Sequence, residues 1–312
     1  MIPLFPKFKS LELSDKKEIE KITQKYPPYS DFNFVSMWSW NLKDEMQIST
    51  LNENLVVRFN DYLTGEKFYS FLGDSKVDET AEKLIDFSKK EKLSSFLKLV
   101  PEETVKKLNS KKFKILEDRN HFDYIFGHKN LSSYEGHAFA KHRNLVRRFE
   151  KKHKYEIVTL DLVKEINKKM LFNLIEYWIN MQKNKKDKDE EDHIQLNDLE
   201  NEFTAFRKLL SASPDFLNTL ICLSLFIDGT LSGFIVNEKI SKDYSLAHFG
   251  KANTEYEGIY HFLMQKNSKI FIDLGINYLN LEQDLGLKNL RYSKTKYRPV
   301  HFLKKYTVAL QD

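Results

Sequence analysis

The sequence is poor in the residues that mark several large classes of protein. It has one cysteine, 10 glycines and 7 prolines among 312 residues, and 41% of its residues are hydrophobic. The single cysteine, Cys222, excludes a disulfide framework and a zinc site built on cysteines, and it fits a reducing compartment. The few glycines and prolines exclude collagen-like and low-complexity chains.

Long apolar runs are also absent. The longest near-apolar run, Leu220 to Ile227, is far shorter than the roughly 20 residues that a membrane-spanning helix needs. Pro3, Pro6 and Lys7 interrupt the start of the chain, so we expect no signal peptide. These features predict a cytoplasmic protein with no membrane span, which leaves peripheral contact with a membrane open.

Charge is nearly balanced but unevenly distributed. The chain has 50 Lys and Arg against 45 Asp and Glu, a net charge of +5. Basic residues concentrate in Lys141 to Lys154 and in Lys288 to Lys305, and acids concentrate in Asp187 to Asp192, which we interpret as a surface loop. The two basic segments together would suit an anionic ligand, whereas the alternative is that each is a solvated face.

Hydrophobic periodicity gives the same order of elements in both halves of the chain. In the first half we predict helices at 16–24 and 78–90 and strands at 47–50, 55–59, 67–72 and 96–100. In the second half we predict helices at 162–182, 199–210 and 256–274 and strands at 219–227, 231–239, 245–249 and 278–282. Asp228-Gly229 is the strongest hairpin signal in the chain.

An antiparallel meander of three strands, a helix and a returning parallel strand form the core of the GNAT acyltransferase fold. The repeat predicts an α/β (α+β) chain of tandem GNAT-like domains, with mixed, mostly antiparallel sheets flanked by helices. We place the domains at 1–130 and 131–312, with a linker helix at about 136–152.

Three motifs carry a resemblance to a known family. They are the segment from Tyr26 to Asn33 (YPPYSDFN), the segment from Lys141 to Phe149 (KHRNLVRRF), and the segment from Asn280 to Gly286 (NLEQDLG) followed by Leu290-Arg291 and Lys294 to Pro299. With them the chain resembles a bacterial family related to the C-terminal domain of phosphatidylglycerol lysyltransferase and, more distantly, to Fem-type peptidoglycan aminoacyltransferases. The resemblance implies a tandem GNAT fold and transfer of an aminoacyl group from charged tRNA to an amine or hydroxyl acceptor on a lipid, peptide or protein.

The candidate catalytic residues are Glu282, Asp284 and Lys294. Glu282 and Asp284 follow the last strand of the repeat, and in an extended chain they would project from the same side. A carboxylate there would accept the proton of an attacking amine. The alternative is a structural network in which these acids pair with Arg291, Lys294 or Lys296.

The basic segment near the end carries the candidate substrate-binding residues Arg291, Lys296 and Tyr297. Because Pro299 disfavours a helix, we predict an extended, exposed arm whose cations and tyrosines contact a single-stranded RNA end such as the CCA terminus of tRNA. Lys294 on this arm would stabilise the oxyanion of the attacked ester. The alternative is a solvated basic strand.

A second group of candidate substrate-binding residues lies on the predicted linker helix. Arg143 and Arg147 are one helical turn apart, and Asn144 lies between them, which would suit a phosphate backbone. An ordinary amphipathic helix is the alternative. We add Tyr260, at the start of the helix that follows the third strand of the second repeat.

Motifs for other chemistries are weak or missing. A coenzyme A site needs a Gly-rich turn before the helix that follows the third strand of the second repeat. Between Lys251 and Tyr260 the sequence has one glycine, Gly258, and Glu255 and Glu257 would repel a pyrophosphate. No pair of histidines has the His-x-x-x-His spacing, there is no partner cysteine motif, and no G-x-S-x-G elbow is present. We therefore expect aminoacyl-tRNA as co-substrate, with no metal and no cofactor.

Three functions stay open at this point. The leading one is an aminoacyltransferase that uses charged tRNA, in which Glu282 or Asp284 removes a proton and Lys294 or Lys296 stabilises charge. The second is an acyl-CoA-dependent N-acyltransferase with an atypical phosphate loop. The third is a non-catalytic GNAT pair that binds RNA or a protein.

Overall fold

The structure is a computed structural model that describes residues 1–61, 64–185 and 196–311. The chain forms two compact units. The first contains Met1–Asp123, Gln283–Gly286 and the segment from Phe302 onward, and the second contains Tyr124–Glu282 and Leu287–His301. The predicted acidic loop at 187–192 lies outside the described residues. The predicted domain boundary between residues 130 and 131 stays a prediction, whereas the compact units change at Asp123 and Tyr124.

The elements before the first change of unit, in chain order, are β1 (Lys9–Ser10), α1 (Lys16–Thr23), α2 (Phe34–Trp40), β2 (Gln47–Leu51), β3 (Asn54–Asn60), β4 (Lys67–Leu72), α3 (Val77–Lys90), β5 (Phe96–Pro101), α4 (Glu102–Val105) and β6 (Phe113–Glu117). Next come β7 (Asp123–Gly127), α5 (His128–Ser133), α6 (Ala140–Lys152), β8 (Tyr155–Leu160), α7 (Glu165–Lys185), α8 (Leu196–Leu210) and α9 (Pro214–Leu217). The last are β9 (Leu220–Ile227), β10 (Thr230–Lys239), β11 (Tyr244–Ala252), α10 (Ile259–Asp273), β12 (Tyr278–Asn280), α11 (Lys288–Lys296), β13 (His301–Leu303) and β14 (Lys305–Leu310).

The first unit has two sheets, in the strand orders β1-β2-β3-β4 and β5-β14-β6. Strands β2, β3 and β4 form an antiparallel meander. Asn52 and Glu53 connect β2 to β3, and both have positive φ, as a tight type I′ hairpin requires. Helix α3 and strand β5 follow the meander, so the predicted order of elements is confirmed in this half.

The second unit is built on one sheet with the strand order β13-β7-β12-β11-β10-β9-β8. Strands β9, β10 and β11 form the meander, and β12 returns parallel to β11 after α10. The predicted hairpin tip at Asp228-Gly229 is confirmed, because both residues have positive φ and Ile227 pairs with Thr230. The predicted order of elements is therefore present in both halves. The returning strand pairs with the third strand of the meander in the second unit, whereas β4 and β5 lie in separate sheets in the first unit.

Each repeat is completed by a strand from the other half of the sequence. In the first unit β14, the last strand of the chain, lies between β5 and β6 and pairs antiparallel with both. In the second unit β7 pairs antiparallel with β12 and lies between it and β13. The two units have thus exchanged equivalent strands, which local sequence patterns did not indicate.

The basic segment near the end of the chain is not the extended arm predicted from the sequence. Residues Lys288–Lys296 form helix α11. Pro299 lies three residues beyond the last helical residue, so its missing N–H and its ring disturb no bond of the helix. The prediction was wrong because a proline excludes a helix only near its own position.

A fully buried lysine joins β14 to the first unit. The Lys305 ammonium donates to Asp31, to Asp123 at 2.8 Å and to the Ser30 hydroxyl at 3.3 Å. Ser30 in turn donates to Asp123 from its amide at 2.7 Å and its hydroxyl at 2.6 Å. Burial alone lowers the pKa of Lys305, but Asp123 and Asp31 together raise it above the ordinary value. The lysine is therefore a charged partner of both carboxylates.

We predict that Lys305→Met destabilises the protein by about 3–5 kcal/mol, because it leaves two carboxylates buried without their cation. The measurement is the free energy of unfolding in urea. The matched control is Lys304→Met, since the Lys304 side chain is 38% exposed and pairs with Glu117 at the surface, and surface ion pairs contribute little to stability. Equal effects of the two changes would contradict the prediction.

Candidate functional site

The sheet of the second unit opens at the end of β12. Strands β11 and β12 pair in parallel from Tyr244 and Tyr278 as far as Leu246 and Asn280. Strand β11 then continues to Ala252, whereas β12 ends at Asn280. A ligand crevice commonly forms where the carboxyl ends of neighbouring parallel strands separate.

A β-bulge in β11 lies at this opening. Val236 on β10 pairs with Phe249, and the next residue, Asn237, pairs with Ala247, so His248 is the extra residue. The Asn237 amide exchanges hydrogen bonds of 2.9 and 3.1 Å with the buried amide of Asn267 on α10. Bulges re-aim side chains and are common next to active sites. Here the bulged residue is a histidine.

His248 lies between two carboxylates. Its Nε2 is 3.3 Å from Glu238 Oε2, and its Nδ1 is 3.9 Å from Glu282 Oε1. The His248 side chain is 1% exposed, whereas the Glu282 side chain is 25% exposed. Glu282 is thus the member of this cluster that a substrate can reach.

Glu282 has a left-handed backbone, with φ of 57°. Its amide donates to Asn280 Oδ1 at 2.7 Å, and its carbonyl accepts from the Tyr124 amide at 3.1 Å. The Lys294 ammonium donates to the neighbouring Leu281 carbonyl at 2.6 Å. A non-glycine residue in this conformation costs about 1–3 kcal/mol and persists where its surroundings hold it, often at functional sites.

Asp284 does not lie on a common face with Glu282. The positive φ of Glu282 ends the extended conformation that the prediction required. Asp284 belongs to the first compact unit, where it is fully buried, forms an ion pair with Arg119 at 3.3 Å and accepts from the Gly286 amide at 2.8 Å. The predicted shared orientation of the two acids was wrong, and Asp284 has structural partners in its own unit.

Lys294 is buried rather than exposed as the sequence predicted, with 8% of its surface accessible. Its helix α11 turns it inward towards Leu281, whereas Lys296 stays exposed with its ammonium 3.8 Å from the Tyr292 ring centroid. Arg291 is partly buried on the same helix. The structure therefore brings Lys294 next to Glu282, where it holds the backbone.

Tyr260 lies in the first turn of α10, and Tyr297, which directly follows α11, packs beside that turn. The Tyr297 ring is 5.3 Å from the ring of His261 on α10 and 5.4 Å from His142. Burial, followed by the effect of Tyr260, raises the pKa of Tyr297 above that of a free tyrosine. The Tyr260 hydroxyl accepts from the Ala252 amide at 3.3 Å. These two predicted residues are thus close together.

The candidate residues on the predicted linker helix, now α6, have different roles. The Arg143 guanidinium donates to the carbonyls of Tyr134 and Gly136, so it fixes the turn before the helix. Asn144 and Arg147 are exposed. Arg147 belongs to a group of exposed cations that have no carboxylate partner among the described residues; the group is Lys141, Arg147, Arg148, Lys151 and Lys152. We call this group the α6 basic ridge.

Gly258 serves helix packing. It has φ of 87°, and a Cβ at this position would lie 3.0 Å from the Leu145 carbonyl oxygen of α6. The glycine therefore allows α6 to approach the start of α10. Hydrogen bonds from Tyr177 and then Asn253 lower the pKa of Glu255, so a negative charge stays near the start of α10.

Neither His248 nor Glu238 was identified from the sequence. Each stands alone in a strand, without a spacing motif. Pairing β10 with β11 across their turn would have placed Glu238 near His248, but the bulge that turns the histidine towards Glu282 has no sequence signature of its own. Among the described residues, no group of three or more His, Cys, Asp or Glu side chains is placed to hold a metal ion.

The doubled core, in which a meander is followed by a helix and a strand in each half, defines the class of protein as the tandem GNAT fold. The chain belongs to the family of the phosphatidylglycerol lysyltransferase C-terminal domain, whose model matches residues 23–309. No curated protein sequence matches the chain. No helix in the described part of the chain is both long and apolar enough to cross a membrane.

Several solved structures are similar to this chain over nearly its whole length. A conserved protein from Bacteroides thetaiotaomicron has 25% sequence identity and a TM-score of 0.77, with 100% of each chain covered. L-PGS from Bacillus licheniformis has 13% identity and a TM-score of 0.60, with 95% of this chain and 91% of that chain covered. At that identity the second likeness shows the fold alone.

Two histidines pack face to edge beside Tyr297. The ring centroids of His142 and His261 are 4.5 Å apart. Burial, then Lys296, Arg298 and Lys141, lower the pKa of His142. Burial, then His142, Lys296 and Lys141, lower the pKa of His261 to about 4. The folded protein therefore resists protonation of this pair.

We predict that stability falls as the pH drops from about 6.5 towards about 4, because the unfolded chain then binds protons that folded His261 does not. Each such histidine contributes up to about 1.4 kcal/mol per pH unit. His261→Phe should lower the slope of the unfolding free energy against pH by about 1.4 kcal/mol per pH unit, which is the contribution of one proton. Urea unfolding at several pH values measures it, and an unchanged slope in the variant would contradict the prediction.

Proposed function

We propose that this protein is an aminoacyltransferase that moves an aminoacyl group from charged tRNA to an amine or hydroxyl acceptor. The observation that carries the proposal is the partly exposed Glu282 carboxylate, held in a strained conformation at the open end of β12. The family of the chain supports it, because the family model is named for a lysyltransferase. The acceptor named there, phosphatidylglycerol, is one candidate, beside peptides and proteins.

In the proposed reaction Glu282 is the general base. The acceptor N–H or O–H attacks the ester carbonyl, its proton passes to the Glu282 carboxylate, and the bond between the carbonyl carbon and the ribose oxygen breaks. No covalent enzyme intermediate is needed. Cys222 would be a poor nucleophile in any case, because burial raises the pKa of its thiol to about 12.

Lys294 has a different role in this proposal from the one expected of an exposed lysine. Its ammonium holds the Leu281 carbonyl at 2.6 Å and thereby fixes the residue before Glu282. We propose it as a positioning residue, and the start of α10, with Tyr260 and Tyr297, as the side from which the donor ester enters. Aminoacyl-tRNA is then the co-substrate, and no separate cofactor is required.

We expect Glu282→Gln to lower the transfer rate by about 10²–10⁴-fold, because general base catalysis contributes that much. The measurement is transfer of a radiolabelled aminoacyl group from charged tRNA to lipid, peptide and protein acceptors. The control is Glu257→Gln, an exposed acid just before α10, which should keep the parental rate. A parental transfer rate in Glu282→Gln would show that Glu282 is not the general base.

The donor is identified in a parallel experiment. Melting temperatures are recorded with coenzyme A, uncharged tRNA and charged tRNA, since a bound ligand stabilises the folded state. Stabilisation by charged tRNA supports the proposal. Stabilisation by coenzyme A alone would favour an acyl-CoA-dependent enzyme, although the negative charge of Glu255 beside α10 opposes a pyrophosphate there.

The α6 basic ridge is the proposed contact for the tRNA backbone. Its cations are exposed and have no carboxylate partner among the described residues. Helical spacing places Arg147 and Lys151 on one face, with Arg148 and Lys152 beside them. Phosphate contacts of this kind give affinity that falls steeply with salt.

We predict that Arg147→Glu with Arg148→Glu weakens tRNA binding and lowers its log–log salt slope by about 1 to 2, because each lost phosphate contact removes roughly 0.7–0.9. Arg143 is left intact, since its bonds to Tyr134 and Gly136 are structural. The measurement is binding to total tRNA from 50 to about 200 mM salt.

The matched control is Lys89→Glu with Lys90→Glu, which makes the same change of charge at exposed positions at the end of α3 in the first unit. If both double variants lose affinity equally, the effect is net charge and not a contact with α6. If neither loses affinity, the ridge is a solvated helix face.

A further inference from the structure

A buried pair, Glu238 and His248, lies directly behind the proposed base and has no part in the mechanism so far. Both residues are at least nine-tenths buried. A carboxylate and an imidazole are expensive to remove from water, and the β-bulge shows that the strand departs from regular pairing at the histidine. The pair therefore needs an explanation beyond packing.

The role of the pair depends on which nitrogen of the His248 imidazole carries the hydrogen. Glu238 Oε2 is 3.3 Å from His248 Nε2, and an ionised carboxylate only accepts hydrogen bonds. A neutral imidazole has one N–H, and Glu238 favours it on Nε2. The unprotonated Nδ1 then faces Glu282 at 3.9 Å. Nδ1 is thus the imidazole atom that can accept a proton from Glu282, the proposed base.

We infer that Glu238 and His248 are positioning residues that orient Glu282 and hold the proton it removes from the acceptor. The inference rests on the proposed function. Glu282 takes the proton from the attacking acceptor and passes it to His248 Nδ1, and Glu238 balances the resulting imidazolium. After the ester bond breaks, the proton returns through Glu282 to the departing ribose oxygen, so the cluster ends as it began.

The distance from Nδ1 to Glu282 is longer than a hydrogen bond, so transfer requires the two groups to approach by about 1 Å. Catalytic hydrogen bonds are often long without substrate and shorten when it binds. Hydrogen bonds hold the Glu282 backbone in place, so its side chain is the part that moves. A small rotation of this partly exposed side chain is enough.

The first test needs no substrate. Protein labelled with nitrogen-15 histidine is studied by NMR, with His248→Gln identifying the resonances of His248. We expect the hydrogen on Nε2 in the wild type, and a shift of population towards Nδ1 in Glu238→Gln, because the glutamine amide can donate to Nε2. A hydrogen already on Nδ1 in the wild type, or no response to Glu238→Gln, would overturn the inference.

The second test is kinetic. His248→Gln and Glu238→Gln should lower kcat by about 10–100-fold with little change in KM, as loss of a supporting partner does. The matched control is His128→Gln, another buried histidine, whose Nε2 lies 2.8 Å from the Ser245 hydroxyl on β11, three residues before His248. His128→Gln should lower the melting temperature and leave kcat unchanged.

The outcomes separate the two proposals. If wild-type protein transfers nothing from charged tRNA, the proposed function fails, while the NMR experiment still decides how His248 holds its hydrogen. If wild type is active and kcat in Glu238→Gln and His248→Gln falls no more than in His128→Gln, the pair is structural and the inference fails. A selective loss of kcat together with the expected NMR response supports it.

Discussion

The fold depends on one ion network, the Lys305 ammonium buried between Asp31 and Asp123. A slip of one residue that placed Tyr306 at this position would leave two carboxylates buried without their cation. The network therefore opposes a slip of β14 in that direction. Backbone pairing of β14 with β5 and β6 acts together with this contact to hold the strand in the first unit.

A second constraint acts where the second repeat ends. The backbone of Glu282 is strained, and hydrogen bonds from its own amide, from Tyr124 and, through Leu281, from Lys294 hold it in place. This side chain stays partly exposed while the residues on either side are held. The carboxylate proposed as the base would benefit from such an arrangement, because little ordering of its backbone is left to occur on binding.

The sequence predicted what local patterns determine. Hydrophobic periodicity and turn residues predicted the repeated meander, the Asp228-Gly229 hairpin and the position of Glu282 after the last strand of the repeat. A motif shared with a known family indicated Lys294. The sequence did not predict the exchange of β7 and β14, since pairing of distant strands leaves no local signature. It missed His248 because a bulge decides where that side chain points. Asp284 was misplaced because β12 ends at Asn280 and the positive φ of Glu282 then turns the chain out of the extended conformation.

The two repeats use the same strand position for different purposes. In the first unit the end of β5 lies opposite the start of β14, since Pro101 pairs with Lys305, and a buried ion network fills this position. In the second unit the end of β12 lies opposite β7, where Asn280 pairs with Ile125, and the chain continues into a partly exposed Glu282. A buried, fully paired cluster stabilises, whereas an accessible carboxylate backed by a histidine can exchange protons. Duplication of one core thus permits one copy to hold a buried ion network while the other presents an accessible carboxylate.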